Sequence, residues 1–164
     1  MYDTILIPTD GSKEAKKGER HGVDLAEAVD ATVHVLYVVE KGSNPWLSES
    51  MESQKDRARE YGEQVTGEVA EMASDVGVES VTAVKFGPAV HEKINDYVEE
   101  EDVDLIVMGS GYHGQIGGLL GSTAEKVLRS AEIPVTTLRR SDRDWRPTRS
   151  LSALRTSVGE RRRG

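Results

Sequence analysis

The stretch Leu105-Ile106-Val107-Met108-Gly109-Ser110-Gly111-Tyr112-His113-Gly114-Gln115-Ile116-Gly117-Gly118-Leu119-Leu120-Gly121-Ser122-Thr123-Ala124-Glu125-Lys126-Val127-Leu128 decides how this chain is read. Its first four residues form an apolar run of the length of a buried strand, and Ala124 to Leu128 reads as a helix. The loop between them holds six glycines. Such a loop lets backbone N–H groups come close to an anion, and Gly121-Ser122 stands where a helix N-terminus adds partial positive charge. Strand, glycine-rich loop and helix together suggest a site for a nucleotide phosphate.

Outward from this stretch the same grammar repeats. Ile5-Leu6-Ile7 and Val33-His34-Val35-Leu36-Tyr37-Val38-Val39 are also near-continuous apolar runs, the pattern of strands buried on both faces of a parallel sheet. Val81 to Phe86 and Val135 to Leu138 are more mixed, as expected of edge strands. Between the strands lie helical spacings of three and four. Ala15, Gly18, Gly22, Leu25, Ala26 and Val29 mark a first helix capped by Ser12, with small residues that allow close packing on the sheet. Ala58, Tyr61, Val65, Val69, Met72 and Val76 mark a second, ending near Gly77. Val90, Ile94, Tyr97 and Val98 mark a third, with Pro88 at an early helical position. Ala124, Val127, Leu128 and Ala131 mark a fourth, stopped by Pro134. The order β-α-β-α-β-α-β-α-β predicts an open α/β sheet with right-handed crossovers.

The 164 residues suit one domain. No apolar run approaches the ~20 residues that span a bilayer. The first strand opens within a few residues of Met1, so a signal peptide is not expected and the cytoplasm is the expected location. With no cysteine, disulfides, thiolate nucleophiles and Cys-based metal sites are excluded. The net charge of −8 hides a division: residues 1–138 carry 12 Lys+Arg against 26 Asp+Glu, or −14, and residues 139–164 carry 9 Arg against 3 acidic residues, or +6. The acidic body repels nucleic acid and matches what halophilic adaptation produces. From Ser141 onward the composition cannot bury much surface, which divides the chain into a domain at 1–140 and a basic, disordered tail at 141–164. The arginines of that tail are the one candidate for nucleic-acid contact, against a solvated tail or one associated with the acidic body.

Ligands of open parallel sheets bind beyond the carboxyl ends of the strands, where strand order reverses. Pro8-Thr9-Asp10-Gly11-Ser12 and the glycine-rich loop have the chemistry to meet there. Asp10 suits a hydrogen bond to ribose or adenine, or a water-mediated hold on Mg²⁺; its structural alternative is capping the first helix. Gly109, Gly111, Gly121 and Ser122 are phosphate candidates, with a tight turn and an ordinary helix start as the alternative. No Walker lysine follows them. Phosphate charge therefore falls to backbone N–H groups, the helix dipole, the Ser122 and Thr123 hydroxyls and Mg²⁺. His113 reads as an exposed loop residue, with a phosphate contact or an acid–base role as the alternative, and His21, His34 and His91 make no metal-ligand spacing. Nothing assembles a nucleophile, a base and an orienting group.

The segments ILIPTDGS, HVLYVVE, GPAVHEKI, DLIVMGSG and LLGSTAEKVLRSAEIPVTTLR resemble, in that order, the universal stress protein family across residues 1–139. The resemblance implies an open five-stranded parallel sheet of order 3-2-1-4-5 with helices on both faces, a Rossmann-like fold. It also implies a homodimer, often through the last strand. One branch of the family binds ATP and another does not. The ATP-binding branch carries a pattern G-x2-G-x9-G-[ST]. Carried over, it implies Pro8, Thr9 and Asp10 near the nucleoside, Val38 at the adenine and Met108 beside the base. Gly109, Gly111, Gly114, Gly121, Ser122 and Thr123 then belong around ribose and phosphates. Gly109 and Gly121 are separated by 11 residues where the pattern has 12. Reading Gly109-x-Gly111-x9-Gly121-Ser122 loses one residue in the first gap; reading Gly111-x2-Gly114-x6-Gly121-Ser122 loses three in the second. The first keeps the strand end, and Gly114 then becomes a loop residue. Both leave Gly121-Ser122 intact.

The expectation is an ATP-binding (or ADP-binding) stress-response regulator, taking its nucleotide with Mg²⁺ and without efficient turnover. The rival readings are a dimeric interaction module that binds no nucleotide and a slow ATP hydrolase.

Overall fold

The computed structural model describes residues 1–41, 50–111 and 120–139. Nine elements alternate: β1 (Thr4–Pro8), α1 (Ala15–Val29), β2 (Thr32–Glu40), α2 (Ser50–Asp75), β3 (Ser80–Gly87), α3 (Val90–Glu100), β4 (Leu105–Gly109), α4 (Ser122–Ser130) and β5 (Val135–Leu138). The strands form one parallel sheet of order β3-β2-β1-β4-β5. This is the open sheet expected, with the two mixed strands at its edges.

Ile5, Leu6 and Ile7 are each fully buried, because successive side chains of a strand point to opposite faces and both faces are covered. Ile5 and Ile7 pack with Val33, Val35, Val107, Val23 and Ala26 of α1 and Val69 and Ala73 of α2. Leu6 packs on the other side with Leu36, Ile106, Ile94 and Tyr97 of α3 and Ala124 and Val127 of α4. Burying each aliphatic side chain of this set contributes about 1.5–3 kcal/mol.

The small residues of α1 have a specific use. A Cβ on Gly18 would stand 2.6 Å from the Met108 carbonyl carbon, and one on Gly109 would run into the Glu14 carbonyl. The first turn of α1 and the end of β4 therefore meet backbone to backbone.

Ser12 does cap α1, from one turn ahead of the regular helix. Its hydroxyl accepts the Ala15 N–H at 3.2 Å and its carbonyl accepts the Lys16 N–H at 3.2 Å. Pro88 differs from expectation: the cap position is Ala89, in extended backbone, so Pro88 precedes α3 rather than opening it. Tyr61 and Leu128 share helical stripes with core residues yet are 45% and 43% exposed, and Val76, expected on the second helix, lies just past the end of α2.

Since β1 lies between β2 and β4, the chain leaves β1 in one direction and returns to its other side after β3. α1 covers one face and α4 the opposite face. The connections after β1 and β4 therefore part, and a cleft opens at the carboxyl edge of the sheet.

Candidate functional site at the strand-order reversal

The cleft has a volume of about 180 Å³. Pro8, Thr9, Asp10, Val38, Met108, Gly109, Gly111, Gly121, Ser122 and Thr123 all line it. Gly114 and His113, the arginine-rich tail and the loop before α2 lie outside the described residues. Ser12, Leu36, Val90, Ile94 and Ala124 complete much of the wall. Val90 and Ile94 were legible only as a helix stripe, because nothing in their spacing tells which end of the sheet the helix covers.

One end of the cleft is apolar. Pro8, Leu36, Val38 and Met108 come from three neighbouring strands, and Val90 and Ile94 close the side. Leu36 accepts the Thr9 N–H at 2.9 Å, so its backbone polar groups face β1. Val38, two residues on, turns its N–H and C=O the same way, past the point where β1 ends at Pro8. A donor and an acceptor on an apolar shelf match the edge and the face of a heteroaromatic base.

The Pro8–Ser12 loop takes up two of its own donors. Asp10 Oδ1 accepts the Ser12 N–H at 2.9 Å, and Thr9 Oγ1 accepts the Gly11 N–H at 3.1 Å. The Ala15 N–H is taken by Ser12, as described above. The Thr9 hydroxyl itself donates to Glu19, on the buried side of α1. Asp10 thus makes an Asx turn rather than the helix cap, which is Ser12. Tyr61 of α2 donates to the Asp10 carbonyl at 3.3 Å. Tyr61 and Glu19 were both missed by sequence reasoning. Glu19 had a signal, since it falls on the face of Ala15, Gly18 and Gly22; Tyr61 reaches across fifty residues of chain and had none. Burial first, then Tyr61 and Asp10, holds the neighbouring Tyr37 hydroxyl above its ordinary pKa.

The opposite wall is the reverse. Gly111 sits at φ +67°, a left-handed turn open to glycine, and the Gly121 N–H is held by the Ser110 carbonyl at 2.7 Å. α4 starts at Ser122 with extended Gly121 at its cap and no side chain bonded there. Among the described residues nothing takes the N–H groups of Ser122, Thr123 and Ala124, and no Lys or Arg lines the cleft. Donors left over at a helix start, on the line of its dipole, have the chemistry to receive an anion. Among the described residues no group of three or more His, Asp and Glu side chains is placed to hold a metal ion, and no helix is long and apolar enough to cross a membrane.

Known proteins resemble this chain in sequence and in fold. The universal stress protein MJ0531 of Methanocaldococcus jannaschii is 33% identical over 147 residues, covering 88% of this chain and 86% of its own. The solved structure of MJ0577 from the same organism superposes with a TM-score of 0.74 at 28% identity, covering 87% of this chain and 99% of that one. A universal stress protein from Archaeoglobus fulgidus, solved in complex with dAMP, has the same fold at a TM-score of 0.65 and 20% identity, covering 83% and 97%. The family model described as "Universal stress protein family" matches residues 1–139, the whole of the described sheet and cleft: the chain belongs to the universal stress protein family.

Proposed function

We propose that the cleft binds an adenine nucleotide, ATP or ADP, with its base against Pro8, Val38 and Met108 and its phosphates at the start of α4. The observation that carries this reading is the division of donors across the cleft. The Asp10 loop takes up the Gly11 and Ser12 N–H groups itself and Ser12 takes that of Ala15, whereas among the described residues nothing takes those of Ser122, Thr123 and Ala124. The dAMP-bound relative supports the ligand class, an adenine nucleotide on the same fold.

Three N–H groups and a dipole equivalent to roughly half a charge do not balance a triphosphate. Mg²⁺ bound with the nucleotide supplies the difference. The Ser122 and Thr123 hydroxyls, and Asp10 through water, are the oxygen donors suited to it. Asp10 is the one titratable side chain among the described lining residues, and one of its oxygens is already used in the turn. That arrangement supports binding and regulation in the stress response rather than efficient turnover. We also read the protein as a homodimer through β5.

Protein purified without added nucleotide, denatured and resolved on an ion-exchange column, is expected to release ATP or ADP. Mg·ATP at about 100 times its dissociation constant is expected to add about 2.7 kcal/mol of stability. An empty column together with an unmoved melting temperature would transfer support to the interaction-module reading. That reading draws on the glycine loop being one residue shorter than the ATP-binding pattern. Sustained turnover abolished by Asp10→Ala or His113→Ala would revive the hydrolase.

A further inference from the structure

Glu19 is a carboxyl group where an aliphatic side chain would be cheaper. It is 1% exposed, on the α1 face that meets the sheet. Its Oε1 accepts the Thr9 hydroxyl, and the same Thr9 oxygen accepts the Gly11 N–H at 3.1 Å. Its Oε2 is buried without a hydrogen bond; Lys16 Nζ stands 3.7 Å away, within ion-pair range but too far to donate. Lys16 is itself held at 3.1 Å by Glu68 of α2. Burying a half-satisfied carboxyl costs stability that a Met or Leu of similar size would not.

The compensation lies in the loop. Thr9 lines the cleft, and its hydroxyl can turn outward to the cleft or back into the protein. With Glu19 behind it, the hydroxyl turns back, and its lone pair then fixes the Gly11 N–H and the turn that presents Asp10. We propose that Glu19 is a positioning residue for the Pro8–Ser12 loop, acting through the Thr9 hydroxyl to hold that loop in the form that receives the nucleoside. It touches no ligand. What it needs for this is an acceptor atom, not a charge.

The variants are Glu19→Met, which keeps the volume and loses the acceptor, Glu19→Gln, which keeps the acceptor and loses the charge, and Thr9→Val. Amide hydrogen exchange is read by NMR on the nucleotide-free proteins. Exchange at Gly11 is expected to rise roughly tenfold in Glu19→Met and Thr9→Val, with Ile7 of β1 unchanged, and to stay near wild type in Glu19→Gln. Equal rises at Gly11 and Ile7, or no rise at Gly11, would overturn the proposal by reducing Glu19 to a general contribution to stability. Should Glu19→Met fail to fold, Glu19→Leu, which also lacks the acceptor, takes its place in the same comparison with Glu19→Gln.

The affinity arm rests on the nucleotide reading above. Mg·ATP binding is expected to weaken roughly tenfold in Glu19→Met and in Thr9→Val, and no further when the two are combined, since both cut one connection. Fully additive losses would overturn the proposal. A wild-type protein that binds no Mg·ATP while Gly11 behaves as expected would remove the nucleotide reading and leave Glu19 as the residue that sets the loop.

Discussion

At Gly109 a hydrogen stands where any other residue would put a carbon, and that carbon would collide with the Glu14 carbonyl. Gly109→Ala is therefore expected to cost about 1–3 kcal/mol, because two backbones must separate to admit a methyl group. Gly67, in the interior of α2, has nothing within 4 Å of a Cβ position, and Gly67→Ala is expected to add about 0.5–1 kcal/mol by helix propensity alone. Urea denaturation of the two variants reads both signs; a stable Gly109→Ala protein would contradict the close approach. The sequence marked Gly109 as a phosphate candidate, and the structure gives it a packing reason as well. Both demands ask for glycine, so composition could not separate them. The Thr9 hydroxyl was illegible for a different reason, since its partner is fixed by how α1 rotates onto the sheet.

Among the elements, β2 and α3 are joined through a polar pair in an otherwise apolar layer. His34 Nδ1 lies 2.9 Å from the Tyr97 hydroxyl, with the rings edge to face at 5.8 Å. Burial lowers the His34 pKa below its usual 6.5, and Glu101 only partly offsets it. Burial, with Glu101 and Glu100, pushes Tyr97 up to about 12, so its hydroxyl stays protonated. Lys85 lies over the Tyr97 ring at 5.8 Å. The folded protein thus prefers neutral His34, while the unfolded chain takes up a proton near pH 6.5. This contribution is complete above about pH 6.5 and is lost as the pH falls below it, toward the lowered folded value. Urea midpoints measured at pH 7.5 and 5.5 are expected to fall for the wild type, and to fall less for His34→Leu. An equal fall in both would assign the acid sensitivity to other groups. The strands were legible because burial on both faces makes their apolar runs continuous. The ends of α3 were less so, since Pro88 suits both the first helical turn and the residue before it.

At the scale of the molecule, the sheet order of the described residues leaves two open edges, β3 and β5. Pro134 and Leu138 turn their carbonyls to β4, accepting from Ile106 and Ser110. By the alternation of a strand, Thr136 also faces β4, and Val135 and Thr137 face the open edge. If two copies join through β5, Thr137→Pro removes a donor from the junction and none from the sheet. Sedimentation is expected to find two chains per particle in the wild type and one folded chain in Thr137→Pro. A dimer that survives the substitution would place the junction elsewhere. The topology was legible from the alternation of runs and spacings along the chain; whether copies pair was not, because an edge strand reads alike whether water or another strand lies beside it. The backbone contact between α1 and β4 welds the Asp10 side of the cleft to the end of β4, leaving a vice with one jaw fixed to the bench. A relative that came to hold a bulkier guest would have to make its room on the free jaw, by trimming Val90 and Ile94.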